Sequence, residues 1–332
     1  MLTYLINRSL LMIPTLLFIS FATFLIIQLP PGDYLETQIS ELRASGETAS
    51  IEKLEFLRKQ YGLDQPLWRQ YWRWMTGLLR GDLGYSFEYE RPVSAIIGER
   101  LLLTFVVSFS AILFTWLVAF PIGVYSATHQ YSWADHGLTL LGFLGLATPN
   151  FLLALVLMFV SFKWFGVSIG GLFSPELQEA PWSWAKVVDL LAHLWIPTVV
   201  IGTAGTAGMI RRLRANLLDE LRKQYVVTAR AKGVPPRRLL LKYPLRIALN
   251  PFISDIGSLF PEVVSGSVIV SIVLSLPTTG PMLLRALRTQ DMYLAGSFLM
   301  MLATLTVVGT LLSDLALAVL DPRIRFGDPE AS

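Results

Sequence analysis

The 332-residue sequence contains no cysteine and only three histidines. The missing cysteines exclude disulfide frameworks, thiolate metal sites and cysteine nucleophiles. The histidines, at positions 129, 136 and 193, lack the spacing of metal ligands, so we expect neither a metal site nor a catalytic triad. The sequence also lacks the G-x-x-x-x-G-K-S/T loop that cradles nucleotide phosphates, and any recognisable nucleic-acid-binding motif. These absences argue against an enzyme and against a nucleic-acid-binding protein.

Charged residues are scarce as well. They make up 15% of the chain, against about 25% in soluble domains, while hydrophobic residues reach 53%. About 20 consecutive apolar residues are needed for a helix to span the hydrocarbon core of a membrane. Runs of this kind predict an all-α integral membrane fold with six transmembrane helices, at residues 9–29, 101–127, 137–162, 191–210, 251–276 and 294–320.

The first apolar run is predicted to be a retained membrane helix over residues 1–29. Its apolar core is too long for a signal peptide, and the sequence Pro30-Pro31-Gly32-Asp33 follows it in place of an A-x-A cleavage pattern.

Charge in the stretches between the spans predicts the orientation. Residues 211–250 carry eleven basic residues, opposed only by Asp219 and Glu220, whereas residues 30–100 hold eleven acidic and nine basic residues. Because positively charged loops remain in the cytoplasm, we expect the 211–250 loop, both termini and the tail 321–332 to be cytoplasmic. Residues 30–97 then form an extracytoplasmic segment.

This extracytoplasmic segment contains two amphipathic helical patterns, around residues 50–60 and 66–79. The apolar positions of the second recur at spacings of three and four, at Leu67, Tyr71, Trp74 and Leu78. Both a membrane-interface belt and a small core would use its aromatic residues, Trp68, Tyr71, Trp72 and Trp74. A packed cap and a docking surface for another protein both remain open.

Between the fourth and fifth predicted spans, residues 215–232 have the pattern of a helix with one apolar stripe, formed by Leu217, Leu221, Tyr225 and Thr228. Gly233 follows as a left-handed cap would, with basic residues in the last turn. Pro235 and Pro236 then open a second helix, because proline suits the first helical turn. Composition leaves two interpretations: a helix pair held at anionic lipid heads, or a helix that binds in a groove of another protein.

The stretch Tyr225–Gly233, YVVTARAKG, resembles the EAA loop of type I ABC importer permeases, in the form found in dipeptide and oligopeptide permeases. Three further motifs occur in the same order as in that family. They are Gly81-Asp-Leu-Gly84 after an aromatic helix, Thr148-Pro-Asn-Phe151 in the third span and Asp321-Pro-Arg-Ile-Arg325 after the last span. The resemblance covers nearly the whole chain.

The resemblance implies a type I ABC importer transmembrane domain over residues 98–320, in a bacterial inner membrane. The chain would be a permease subunit that forms half of a translocation path and has no ATPase or cofactor of its own. Its partners would be a second homologous permease, two cytoplasmic subunits that bind ATP and magnesium, and an extracytoplasmic solute-binding protein. The residues implied in coupling to the ATPase are Leu217, Leu221, Tyr225, Thr228, Ala229, Arg230 and Gly233.

The chain departs from the family pattern at three places. Val227 stands where the EAA motif has glutamate or, in the peptide branch, arginine, so Arg230 is left to supply that polar contact. Ser271 replaces a glutamate of the fifth span, before Pro277-Thr-Thr-Gly280 in place of a Pro-Gly-Xaa-Gly turn. The fifth span also contains Asp255 and Glu262. These last two departures concern the solute.

The candidate residues for the translocation path are Asp255, Glu262, Ser271, Pro149 and Asn150. Asp255 and Glu262 are two helical turns apart, and carboxylates in hydrocarbon normally face a water-filled path or a partner. Asp255 is also near enough to the membrane surface to reach the interface, and Glu262 also suits pairing between subunits.

Two alternatives to an importer subunit follow from the residues. Intramembrane carboxylates suit a proton-coupled secondary carrier, although such carriers usually show internal repeats, which we do not find in the sequence. A non-transporting membrane scaffold is the other alternative. Among solutes, peptides fit the resemblance best, oligosaccharides come next, and nickel and other small solutes follow.

Overall fold

The computed structural model describes residues 2–29, 34–45, 48–166, 170–178, 180–254 and 268–320. Within these ranges the only strands are β1 (Tyr85–Ser86) and β2 (Arg91–Pro92), which pair antiparallel. The helices are α1 Leu2–Gln28, α2 Tyr34–Ser45, α3 Thr48–Tyr61, α4 Leu67–Leu79, α5 Val93–Thr128, α6 Trp133–Ala147, α7 Asn150–Phe165, α8 Trp184–Leu221, α9 Gln224–Ala231, α10 Pro236–Lys242, α11 Pro244–Ala248, α12 Asn250–Ser254, α13 Val268–Val273, α14 Thr279–Arg288 and α15 Met292–Leu320. The all-α membrane fold is confirmed.

Four of the described helices are long and apolar enough to cross a membrane: α1 from Leu10, α5, α8 and α15 as far as Leu312. Helices α6 and α7 meet the same test only as a pair. Half of the fifth predicted span, 251–276, including Asp255 and Glu262, lies outside the described residues. The tail 321–332 lies outside them too, and the number of six spans stays a prediction.

The sequence analysis expected one helix over the third predicted span, but the structure has two. Helices α6 and α7 meet at an angle of 98°. Between them Thr148 is extended, with φ −83° and ψ 119°. Pro149 explains the break, because proline has no N–H to donate and its ring disfavours a helical conformation in the residue before it.

The chain divides into two compact units, Met1–Leu103 with Thr278–Leu311 and Thr104–Pro277 with Leu312–Ser332. In the first unit α3 and α4 lie where the sequence predicted helices. Helix α4 turns Tyr71, Trp74, Met75 and Leu78 inward, whereas Leu67 is 53% exposed and does not belong to the buried stripe. The Trp74 indole N–H donates to Ser297 of α15 at 3.3 Å, which fixes α4 in this core.

A buried carboxylate, Asp291, organises the residues that follow the Gly-Asp-Leu-Gly motif. It accepts hydrogen bonds from the Ser86 hydroxyl at 2.6 Å and from the backbone N–H groups of Glu88 and Leu294, each at 3.2 Å. Burial raises the pKa of Asp291, although these donors act in the opposite direction. Arg285 of α14 donates to Glu88 at 2.5 Å, so the β1–β2 ribbon is attached to both α14 and α15.

Helix α8 is the long element of the second unit, with 38 residues. Its glycine-rich part approaches its neighbours closely: a Cβ on Gly202 would lie 2.5 Å from the Phe114 ring of α5. The Thr115 hydroxyl donates to the Gly202 carbonyl at 2.9 Å. A Cβ on Gly145 of α6 would lie 2.9 Å from Thr203. The small residues of this stretch therefore serve helix packing.

Candidate functional site

The basic segment begins on the end of α8, which extends well past the predicted span 191–210. Here Leu213 and Leu217 are fully buried, packed with Leu245 and Ala248 of α11 and Phe252 of α12. Helices α8, α11 and α12 thus form a local core from which the following loop projects.

The helix predicted over residues 215–232 is in fact two helices. Helix α8 ends at Leu221, Lys223 is extended with φ −69° and ψ 148°, and α9 begins at Gln224. A hydrogen bond closes this corner, in which the Tyr225 hydroxyl donates to the Glu220 carboxylate at 2.5 Å. Burial and the neighbouring Glu220 raise the pKa of the Tyr225 phenol, so the phenol remains a donor at physiological pH.

The end of α9 has the predicted glycine cap. Gly233 has φ +76°, in the left-handed region that glycine adopts without strain. Its N–H donates to the Arg230 carbonyl at 3.0 Å, and the Val234 N–H donates to the Ala229 carbonyl at 3.2 Å. This pair of bonds is a Schellman motif. Pro236 then occupies the first turn of α10, as predicted.

Helices α9 and α10 share a small core of their own. Val226, Ala229 and Leu239 are buried in it, and Tyr225, Val234 and Tyr243 pack around them. The opposite side of α9 is exposed and consists of Gln224, Val227, Thr228 and Ala231. These positions follow the i, i+3, i+4, i+7 pattern of a single helix face. We call them the outer face of α9.

The structure separates the residues that the resemblance implied in coupling. Leu217 is buried beneath α11 and Ala229 inside the α9–α10 core, so neither side chain is presented at the surface of this chain. Leu221 and Tyr225 are half-buried, while Thr228, Arg230 and Gly233 are exposed. The expectation that the stripe from Leu217 to Thr228 anchors a partner is therefore wrong for its first member. The stripe assumed one continuous helix, and the corner at Lys223 breaks it.

Exposed basic side chains flank the outer face in sequence, and we call them the basic rim. They are Arg222, Lys223, Arg230, Lys232, Arg237, Arg238, Lys242 and Arg246. Val227, which replaces an acidic or basic residue of the EAA motif, is 51% exposed. The loop thus combines a small, weakly polar helix face with flanking basic residues, a combination that suits a protein-binding surface.

A buried ion pair ties the same region to α6, and sequence reasoning missed it. The Arg214 guanidinium donates to the Asp135 carboxylate at 2.9 Å, and the Asp135 side chain is 2% exposed. Asp135 also accepts the N–H of Tyr131 at 3.0 Å, while its own N–H donates to the Ser132 hydroxyl at 3.1 Å. The spacing Ser132-x-x-Asp135 is a helix-start signal that could have located the carboxylate, though not its partner.

We expect Arg214→Met to lower the free energy of unfolding by about 2–3 kcal/mol, because a buried carboxylate is left without its counter-charge. Adding Asp135→Asn should restore part of that loss by removing the charge itself. Thermal unfolding in detergent measures both. Arg211→Met is the matched control on α8: the Arg211 guanidinium is exposed and lies 5.4 Å from the centre of the Phe143 ring, so its loss should cost at most about 1 kcal/mol. Asp135→Asn alone is measured as well. A double variant whose loss of unfolding free energy equals the sum of the two single losses would contradict the pairing.

Three of the five residues implied in the path fall on described elements. Pro149 is exposed at the bend between α6 and α7, and Asn150, the first residue of α7, is half-buried. Ser271 is 3% exposed on α13, which packs against α7 and α8. Asp255 and Glu262 fall outside the described residues. The role of all five in a path stays a prediction.

Comparison with known proteins identifies the class to which this arrangement belongs. Residues 119–326 match the family model of the binding-protein-dependent transport system inner membrane component, and residues 1–108 match the model of its N-terminal part. The chain belongs to this family. It is a membrane-spanning permease subunit of an ABC importer, as the resemblance implied.

Individual relatives extend over the whole chain. The oligopeptide transport system permease protein AppB of Bacillus subtilis is 34% identical, covering 98% of this chain and 100% of AppB. The glutathione transport system permease protein GsiC of Pectobacterium atrosepticum is 33% identical, with coverage of 98% and 100%. The dipeptide transport system permease protein DppB of Escherichia coli K12 is 30% identical, with coverage of 98% and 99%.

Proposed function

We propose that this chain forms half of the translocation path of a peptide importer and receives its driving force through the outer face of α9. In this proposal its partners are a second homologous permease, two ATP-binding subunits that hold ATP and magnesium, and a solute-binding protein on the opposite side of the membrane. The excess of basic residues in 211–250 supports a cytoplasmic location for this loop and for both termini. The chain lacks a phosphate-binding loop, which supports separate ATPase subunits.

The observation that supports this proposal best is the way in which α9 and α10 pack together. Helices α9 and α10 share a core of their own, and a Schellman motif fixes the turn between them. They can therefore move together as one body when a partner moves. The partner would contact Val227, Thr228 and Ala231, with the basic rim flanking them in sequence.

Displacement of this body reaches the membrane through α8. The Tyr225–Glu220 bond joins α9 to the end of α8, and α8 continues for 38 residues, a length of about 57 Å. The Arg214–Asp135 pair carries the same displacement to the start of α6. ATP binding by the partner subunits would thus tilt α8 and α6 together, and hydrolysis would return them.

Peptides are the proposed solute, because permeases to which this chain is similar over its whole length are named for oligopeptide, dipeptide and glutathione transport. Uptake of labelled di- and tripeptides into cells or vesicles that contain the complete transporter tests this assignment. Efficient uptake of oligosaccharides without uptake of peptides would overturn it.

The coupling role is tested with Gly233→Pro and its matched control Gly233→Asn. Proline cannot adopt φ +76°, so the turn between α9 and α10 should be lost, whereas asparagine tolerates the left-handed region. After mild solubilisation, we expect the tagged chain and the asparagine variant to bring down ATP-binding subunits and a second permease. The proline variant should lose the ATP-binding subunits. Recovery of the same partners with the proline variant would contradict the proposed contact.

A further inference from the structure

Helix α4 is attached to the part of α1 that lies within the membrane. The membrane-crossing stretch of α1 ends at Gln28. The Tyr71 hydroxyl is 2.8 Å from the Ser20 hydroxyl, and the Phe24 and Tyr71 rings meet edge to face with centroids 5.4 Å apart. The Gln28 amide donates to Gln70 at 3.1 Å. These contacts cover about the last 12 Å of the span, because a helix rises 1.5 Å per residue.

Beside this contact, α4 carries an exposed apolar ledge. Trp68 is 61% exposed, Trp72 60% and Leu79 81%. They stand at positions i, i+4 and i+11, so they follow one side of the helix. The neighbouring part of α1 is also apolar and exposed, at Phe21, Leu25 and Ile26. Both α4 and the adjoining part of α1 therefore expose apolar side chains.

Arginines follow the ledge along the same helix. Arg69 in α4 and Arg80, the residue that caps its C-terminal end, are both exposed. The Arg69 guanidinium lies 5.1 Å from the centre of the Trp68 ring. Tryptophan beside arginine is the arrangement in which an amphipathic helix rests at the boundary between headgroups and acyl chains.

We propose that α4 is an interfacial helix whose ledge, Trp68, Trp72 and Leu79, inserts into the lipid leaflet at which α1 ends, while Arg69 and Arg80 bind phospholipid phosphate groups. The position of α4 along α1 indicates that lipid covers the ledge, because a helix held against the last turns of a membrane span has its free apolar side at the acyl boundary. The arginines supply the charge complementarity to phosphate. The inference does not depend on the solute or on the ATPase contact.

The interfacial position can be measured by spin labelling, because the chain has no cysteine of its own. Trp72→Cys and Leu79→Cys are each labelled in the full chain, purified with its partners and placed in nanodiscs of phosphatidylethanolamine and phosphatidylglycerol. Collision rates with oxygen, which partitions into lipid, and with a water-soluble nickel chelate are then compared. Asp64→Cys, an exposed site in the turn before α4, is the aqueous control.

We expect the oxygen-to-nickel collision ratio at positions 72 and 79 to be several-fold higher than at position 64. Replacing both Arg69 and Arg80 by glutamine should lower the ratio at position 72, since the helix loses its hold on the headgroups. Nickel access at position 72 equal to that at position 64 would place the ledge in water and overturn the proposal. Exclusion of both reagents would overturn it too, because the ledge would then be covered by a protein partner.

Discussion

Val227→Trp should sharply reduce recovery of the ATP-binding subunits and lower solute uptake by about 10- to 100-fold, while leaving the chain folded. Val227 is 51% exposed at the centre of the outer face of α9, so an indole there does not disturb the core of this chain. In a packed interface, however, the added volume would overfill the contact, a change that typically costs about 1–3 kcal/mol, and about 1.4 kcal/mol corresponds to a factor of ten. Co-purification and transport in reconstituted vesicles measure the two effects.

The control is the same substitution elsewhere in the basic segment. Ala215 is exposed near the end of α8 but lies outside the outer face of α9. Ala215→Trp should therefore retain both partners and uptake. Normal uptake and normal partner recovery in Val227→Trp would show that the outer face is not the contact, and the exposed side chains of α10 would be examined next.

Gly84→Ala should prevent the chain from accumulating in folded form. Gly84 has φ +84°, and a Cβ there would lie 2.3 Å from the ring of Tyr293. A left-handed alanine costs about 1–2 kcal/mol, and overpacking adds about 1–3 kcal/mol. Tyr293 has little room to yield, because its hydroxyl donates to the Tyr61 carbonyl at 3.1 Å. Thermal unfolding and the yield of monodisperse protein in detergent test this expectation.

Gly81→Ala separates the two causes. Gly81 also has positive φ, at +80°, but among the described residues no atom beyond its chain neighbours lies within 4 Å of its would-be Cβ. It should therefore lose only the conformational part, about 1–2 kcal/mol. Adding Tyr293→Ala to Gly84→Ala should recover part of the loss by removing the clash. Equal destabilisation by the two alanine variants would mean that the Tyr293 ring moves aside freely.

The elements that sequence predicted well depend on local chemistry. Gly233 at a helix end and Pro236 in the next first turn specify the α9–α10 turn almost unaided, because few other residues adopt those conformations. The angle between α6 and α7 also has a local cause, Pro149. The sequence analysis did not predict the angle, because the residues on both sides of Pro149 form one continuous apolar run. Apolar composition locates a membrane segment without showing whether the segment is straight.

The elements that sequence could not predict depend on tertiary partners. Nothing in Leu221-Arg-Lys-Gln224 breaks a helix, so the corner at Lys223 arises from packing and from the Tyr225–Glu220 bond. The Arg214–Asp135 pair joins residues that are 79 positions apart. Burial of Leu217 depends on α11 and α12, which follow it in sequence. For this reason the sequence analysis assigned Leu217 to a partner surface, whereas other helices of the same chain cover it.

The angle at Pro149 also has a consequence for hydration. Proline offers no N–H to the carbonyl of Gly145, four residues earlier, and the extended Thr148 takes the backbone out of its helical ladder. Acyl chains contain no hydrogen-bond donors, so backbone that leaves a helix at membrane depth is tolerated only against protein or against water. If α6 and α7 together form one broken span, the corner between them must therefore be shielded from lipid by protein or by water.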